Sequence, residues 1–311
     1  MSETNEQAEK LVGVEVSNTR LTAVRLDENG ALRDSHKISL SSDTEVFSQV
    51  INFITELKNR FAGFTKIGIA LPGLLNRSTN RIALSTHLPE NAEIDLITEI
   101  RNETGLETVL ENDANAAAYG EYILGAGRGS QNMFYITIGT GVGGAFIIDG
   151  RLWRGAAGFA GEFGYIAINS EGMKLEETAS AQGILRRIKN RVHQDQTSSL
   201  ANIREEEITV SDVVQAANGG DAFARMMLER TGVYVGMAVA NVINLLNIEK
   251  IVVGGEIMEA ERIVLDSIIE RTRELSFAPS FETTQIAAGE LSGAAAATGA
   301  ALLSAEKSRE A

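Results

Sequence analysis

The feature that most constrains this 311-residue chain is a strand–turn–strand unit that occurs twice. Residues 12–16 (VGVEV) and 21–26 (LTAVRL) each alternate as strands do, with 17–20 (SNTR) between them. Moved forward by 122 residues, Val14 falls on Ile136, Val16 on Ile138, Ala23 on Ala145 and Asp27 on Asp149. The intervening residues 17–20 fall on Gly139-Thr140-Gly141-Val142. A matched unit at one fixed offset predicts an internal duplication, with each half opening on a β-hairpin.

The remaining periodicities alternate between strand and helix. Residues 37–40 complete an antiparallel start, and 44–61 carry apolar residues at helical spacing (Val46, Val50, Phe53, Ile54, Leu57, Phe61). A short apolar strand at 66–71 stops at Pro72-Gly73. Residues 94–104 read as a helix, 108–111 as a strand and 114–124 as a helix. In the second half, strands are expected at 133–138 and 145–148 around a glycine loop at 139–144. Helices follow at 180–192, 211–217, 221–246, 260–275 and 293–304, with strands at 250–253 and 284–288. Residues 193–207 read as a polar, flexible connection. The class is α/β.

Composition excludes several chemistries. The chain has no cysteine, which removes disulfides, cysteine-based zinc sites, iron–sulfur clusters and thiol catalysis. A formal net charge of −14 opposes binding to nucleic acid or an anionic membrane through the overall field, while leaving room for a local pocket for a small anion. Residues 1–10 are polar and acidic, without the apolar core of a signal peptide. The longest apolar stretch, 231–248, carries Asn241, Asn244 and Asn247 at three-residue spacing, so it reads as an amphipathic helix and not a membrane span. A cytoplasmic protein with no membrane partner is expected.

Thirty glycines against three prolines point to specific uses of glycine. In Ile138-Gly139-Thr140-Gly141-Val142-Gly143-Gly144, glycine allows close approach of an anion to backbone N–H groups, and the Thr140 hydroxyl adds a donor. A strand follows the loop, unlike a dinucleotide fingerprint, and no P-loop lysine is present. Asn112-Asp113-Ala114-Asn115 sits where a strand ends and a helix opens. The Asp there serves as a helix cap or places a carboxylate at the mouth of a sheet. Gly161-Glu162-Phe163-Gly164-Tyr165 and Leu175-Glu176-Glu177 add carboxylates in a glycine-rich surrounding.

In order along the chain, NDANAAA, IGTGVGG, GxxGExG, LExxAS and VVGG resemble the ROK family of bacterial sugar kinases and sugar-responsive repressors, from Val12 to Ala301. The functional type it looks most like is a bacterial ROK glucokinase. The resemblance implies an actin-like, ribonuclease-H-like ATPase fold of two lobes with a central cleft. It implies a small lobe over 1–111, on which a C-terminal helix within 293–311 packs, and a larger lobe over 112–292. It implies ATP and Mg²⁺, a hexose (glucose first; fructose, mannose and N-acetylmannosamine as alternatives) and a homodimer. By the same resemblance Asp113 is the general base toward the sugar hydroxyl. Asn112, Glu162, Tyr165 and Glu176 bind sugar, with Gly73 in the turn on the sugar side. Glu15, Ser17, Asn18, Thr19, Gly139, Thr140, Gly141 and Gly143 serve the nucleotide phosphates and metal, and Gly254 and Gly255 border adenosine. Only about ten residues precede the first strand, too few for a DNA-reading domain, so a repressor is not expected.

Two motifs depart from that family. Its first loop reads DxGGT, and here it reads Glu15-Val16-Ser17-Asn18-Thr19. Asn tolerates left-handed backbone angles, which lets the turn survive without glycine, and Arg20 offers a charged contact in place of lost backbone ones. Weaker or altered ATP binding, a different phosphoryl donor, or a non-catalytic sugar-binding protein is the corresponding expectation. The family's ExGH, whose His ligates a structural zinc together with a CxCGxxGC stretch, becomes Glu162-Phe163-Gly164-Tyr165, and residues 166–174 contain no cysteine. Lys174 stands where the last Cys would be, so no zinc is expected.

Overall fold

The computed structural model describes residues 10–76, 79, 81–84, 95–195, 197–260 and 262–306. The readings made on residues 1–9, on Ile94 and on residues 307–311 lie outside them.

In chain order the elements are β1 (Leu11–Val16), β2 (Arg20–Leu26), β3 (Leu32–Ser39), α1 (Val46–Phe61), β4 (Lys66–Leu71), β5 (Leu74–Asn76) and β6 (Arg81–Leu84). Then come α2 (Leu96–Thr104), β7 (Glu107–Asn112), α3 (Asp113–Leu124), β8 (Met133–Ile138), β9 (Val142–Ile148) and β10 (Arg151–Trp153). The chain continues with α4 (Leu175–Ala179), α5 (Ala181–Lys189), α6 (Val210–Asn218), α7 (Ala222–Leu246), β11 (Lys250–Gly254), α8 (Arg262–Leu275), α9 (Ala278–Glu282), β12 (Gln285–Ala288) and α10 (Ala295–Ala305).

Two five-stranded sheets carry one topology. The first runs β3-β2-β1-β4-β7 and the second β10-β9-β8-β11-β12. In each, two antiparallel pairings are followed by two parallel ones. The repeat at 122 residues is therefore the opening hairpin of a repeated sheet, whose last two strands recur at larger offsets. Its register differs by one residue: Val14 pairs with Ala23, but Ile136 pairs with Gly144. The second turn is thus shortened to residues 139–141, and β9 begins at Val142. The loop expected over 139–144 is corrected accordingly. Gly143 and Gly144 are strand residues opposite Thr137 and Ile136. Glycine is required at 144 because a Cβ there would lie 2.7 Å from the Phe134 ring.

The chain divides into two compact units, Met1–Gly125 with Arg154–Ala160 and Gly293–Ala311, and Ala126–Trp153 with Gly161–Ser292. The division expected after residue 111 falls after Gly125 instead. The reason is the packing of α3. A Cβ on Gly299 of α10 would collide with the Ala116 carbonyl of α3, and Cβ atoms on Gly13 and Gly68 would collide with the carbonyls of Ala297 and Ala300. Small residues thus let α10 lie with its backbone directly on β1, β4 and α3, which holds α3 in the first unit. The other face of that sheet buries Phe53, Ile54 and Leu57 of α1 against Val12, Val14, Ile67 and Ile69.

The second unit buries Ile136, Ile138, Leu175, Ile184, Val235, Val239 and Ile251 in one core. Gly232 and Gly236 of α7 face the carbonyls of Val264 and Ile268 of α8, where Cβ atoms would come within 2.6 and 2.8 Å. The asparagine stripe of α7 is exposed, and Asn244 ties the helix to the Leu275 carbonyl at 3.2 Å and the Phe277 N–H at 2.7 Å. Among the described residues no helix is long and apolar enough to cross a membrane. The connection expected to be flexible over 193–207 contains single 3₁₀ turns at Val192–Gln194, Ser199–Asn202 and Glu205–Glu207. Asp221, which caps α7, also accepts from Ser198 Oγ at 2.9 Å and from Ser199, which ties those two residues to the start of α7.

Candidate active site

In the first unit the strand-to-helix corner of β7 and α3 carries the candidate base. Asn112 is the N-cap of α3, its Oδ1 accepting from the Asn115 N–H at 3.0 Å. Its Nδ2 donates to the Gly73 carbonyl and to Asp113 Oδ1, both at 3.0 Å. The same Asp113 oxygen accepts the Ala114 N–H at 2.8 Å. Asp113 is therefore the first residue of a helix, where the dipole favours its negative form. Gly73 has φ 119°, a conformation that favours glycine, and that places its carbonyl against Asn112. Pro72-Gly73 is thus brought to the Asn112–Asp113 pair.

Two residues of this corner escaped the sequence reading. Glu111 is 3% exposed. It accepts from the Asn112 N–H at 3.1 Å and Asn115 Nδ2 at 3.0 Å on one oxygen, and from Arg154 Nε at 3.0 Å and Nη2 at 2.8 Å on the other. The signal available in sequence was a charged residue at the end of an apolar strand. Its partner, 43 residues further on, was not legible.

Glu15 sits in β1 between Ala70 of β4 and Thr22 of β2. Burial, and then the negative charge of Asp113, push its carboxyl up to about 7, while Arg20 and Lys37 oppose the shift. The turn at residues 17–20 closes without glycine and without left-handed backbone, since none of its residues has a positive φ. The expectation resting on Asn18 is corrected: Ser17 does the work. Its Oγ donates to the Arg20 carbonyl at 3.0 Å and accepts the Arg20 N–H at 3.2 Å. The Thr19 carbonyl accepts the Leu40 N–H at 2.9 Å.

In the second unit the glycine turn is braced from two sides. The Gly139 carbonyl accepts the Ala181 N–H at the start of α5 at 2.8 Å, and Glu176 Oε2 accepts the Val142 N–H at 2.9 Å. Gly139 N–H closes the turn onto the Gly141 carbonyl at 2.9 Å. That leaves the N–H groups of Thr140 and Gly141 without an acceptor among the described residues. Not every glycine here serves a ligand. A Cβ on Gly141 would lie 2.8 Å from Glu176 Oε2 and one on Gly164 3.2 Å from Glu176 Cβ, so both make room for that carboxylate. Gly254 and Gly255 clear the Tyr135 hydroxyl and the Ile138 carbonyl. Gly139 is different: a Cβ there would meet nothing nearer than Glu256 N at 3.9 Å. Neither φ nor packing demands glycine at 139.

Glu176 is brought beside Glu162, whose carboxyl is raised by burial and then by the charge of Glu176. Tyr165 is 58% exposed, and Lys174 Nζ lies 3.9 Å from its ring centroid. Between them the chain closes on itself: Ile168 N–H donates to the Met173 carbonyl at 2.8 Å, Leu175 N–H to the Ile166 carbonyl at 2.9 Å, and Met173 N–H to Asn169 Oδ1 at 2.9 Å. An ammonium over a phenol ring and a turn without thiols do not fit the tetrahedral Zn²⁺ of the family resemblance. Among the described residues no group of three or more His, Cys, Asp or Glu side chains is placed to hold a metal ion.

Comparison with known proteins gives these two groups of residues a context. The family model described as "ROK family" matches residues 11–307. The chain belongs to the ROK family. It is 34% identical to a glucokinase of Halalkalibacterium halodurans over 275 residues, 83% of each protein. It is 28% identical to a xylose repressor of Bacillus spizizenii over 85% of this chain and 68% of that one. Among solved structures, a ROK family glucokinase from Streptomyces griseus in complex with glucose and AMPPNP superposes with a TM-score of 0.85 at 27% identity, covering 96% of this chain and all of that one (100%). The ROK fold is the actin-like, ribonuclease-H-like ATPase fold, and the doubled sheet order described above is how this chain builds it.

Proposed function

We propose that this ROK protein is an ATP-dependent hexose kinase that converts glucose to glucose 6-phosphate. The observation that carries the reading is Asp113, a carboxylate at a helix start, oriented by two donors on one oxygen, in a chain 34% identical to a glucokinase. Asp113 accepts the proton of the sugar hydroxyl, a role suited to an ionised carboxylate. Asn112, Glu162, Tyr165 and Glu176 hold sugar hydroxyls, with Gly73 fixing Asn112. Glu176 has one oxygen on Val142, so a sugar meets the other. Thr140 and Gly141 offer N–H groups to phosphate, Gly139 gives it room, and Gly143, Ser17, Asn18 and Thr19 flank it. Arg20 adds a positive charge beside Glu15, which faces Mg²⁺. Gly254 and Gly255 border adenosine. Bound ATP with Mg²⁺ supplies the phosphoryl group, and alignment and charge neutralisation by these residues supply the catalysis. The same reading has the protein cytoplasmic and homodimeric, without zinc.

A second reading, a sugar-responsive protein without turnover, is favoured by the glycine-free first turn and by the similarity to a xylose repressor. Phosphorylation of a hexose panel with ATP–Mg²⁺, with Asp113→Asn as the blank, separates the two. Transfer to glucose supports the kinase. No transfer to any hexose, with sugar still raising Tm, selects the second reading.

A further inference from the structure

We propose that Glu111 and Arg154 are a positioning pair that sets the register of Asn112 and Asp113, an inference that rests on the kinase reading. A carboxylate buried to 3% exposure must be matched by donors or it loses its charge. Glu111 is matched on both oxygens, by four donors between 2.8 and 3.1 Å. The two bonds from Arg154, from Nε and Nη2, converge on Oε2 and fix the position of that oxygen, while the two donors on Oε1 fix the plane of the carboxylate. With Oε2 anchored on Arg154, Oε1 is left to face the corner of the chain. There it takes the Asn112 N–H and the Asn115 side chain together.

Both recipients act on the base. The Asn115 N–H is capped by Asn112 Oδ1, and this turns Asn112 Nδ2 toward Gly73 and Asp113 Oδ1. The relay therefore runs from Arg154 through Glu111 to Asn112 and Asn115, and from Asn112 to Asp113. Arg154 enters it from a fixed origin: its carbonyl accepts the Ala160 N–H at 3.0 Å, closing residues 154–160 into a loop, and Gly155 takes φ 71° to allow it. Stability alone does not call for this arrangement. Asn112 already caps α3, and a buried ion pair is commonly replaced by apolar side chains of similar volume at no loss. What an apolar pair lacks is a directed oxygen at the corner that carries the base.

The test compares the wild type with Arg154→Met, Arg154→Lys and Glu111→Gln/Arg154→Met in the full chain, well below their melting temperatures. Arg154→Met is expected to lower kcat for glucose by about 10- to 100-fold, the scale of a misplacement near 1 Å, with glucose Kd by calorimetry changed less than about threefold. Arg154→Lys keeps the charge but not the rigid pair of donors on Oε2, so it recovers kcat in part. The double variant restores an uncharged Oε1 acceptor and recovers more than Arg154→Met. Hydrogen exchange in residues 112–119 follows the same order, and it is read without any turnover. Wild-type kcat in a folded Arg154→Met overturns the inference. If that variant does not fold, wild-type kcat in Arg154→Lys overturns it equally, as does a double variant no faster than the single one. A wild type that phosphorylates no hexose defeats the kinase reading instead. The pair then stands or falls on whether exchange rises at 112–119 in Arg154→Lys.

Discussion

Asn112 Nδ2 lies 3.0 Å from Asp113 Oδ1, so the residue that caps the helix also orients the candidate base. One oxygen of Asp113 is thereby committed to Asn112 and Ala114. An asparagine at 113 can keep its carbonyl oxygen on those two donors, but it then turns an NH₂ toward the sugar hydroxyl. Asp113→Asn is expected to lower kcat by about 10²- to 10⁴-fold with little change in glucose Kd. A coupled kinase assay beside calorimetry checks both. A variant within threefold of wild-type rate removes Asp113 as the base.

The glycines of the second unit separate by what surrounds them. Gly139→Ala is expected to leave Tm within about 2 °C, because its Cβ has open space, yet to raise KM for ATP about tenfold or more. Gly164→Ala drives a Cβ into the Val142 carbonyl and crowds Glu176, so it lowers stability by about 1–3 kcal/mol before any ligand is added. Thermal melts with and without ATP distinguish the two. Equal losses of Tm would show that Gly139 is a packing residue.

Glu15 makes the first unit pH-sensitive. Its carboxyl is raised from 4.5 to about 7 in the fold, so between those values the folded state holds a proton that the unfolded chain has lost. The stability it contributes is complete below about 4.5 and is lost as pH rises through about 7. Glu15→Gln removes that dependence, so its Tm relative to wild type rises by a few degrees between pH 5 and pH 8. Asp113→Asn removes the neighbouring charge and shrinks the same slope. Parallel Tm–pH curves for wild type and Glu15→Gln would contradict both statements.

The Lys174–Tyr165 contact stands where the family resemblance places metal ligands. Incubation with EDTA followed by restored Mg²⁺ is expected to leave Tm and glucose affinity unchanged. Lys174→Met is expected to cost about 0.5–1 kcal/mol, the scale of an exposed cation–π contact. Metal analysis of the purified protein and denaturant melts check the pair. Stoichiometric zinc, released together with loss of sugar affinity, would reverse this account.

The order of elements and the duplication were legible in the chain, because period-2 alternation and a fixed offset survive without any knowledge of partners. That a helix opens at NDAN and a turn lies in IGTGVGG was legible for the same reason, since caps and turns depend on neighbours in sequence, but the cap is Asn112 where Asp113 was expected and the turn ends at 141 where 144 was expected. Their detailed roles were not. That Gly141 and Gly164 clear space for Glu176, and that Ser17 closes the first turn, depend on side chains meeting through the fold.

By itself the sequence determined an α/β chain with two related halves, opened by hairpins whose strands and turns are local matters of alternation and backbone freedom. Only tertiary structure decided that α3 belongs with the first unit, through carbonyl-to-glycine contact with α10. Only it brought Arg154 to Glu111 behind Asn112 and Asp113. Burial at that corner makes each unpaired charge costly, and the partner that satisfies a buried charge is chosen by proximity in space, which spacing along the chain does not encode.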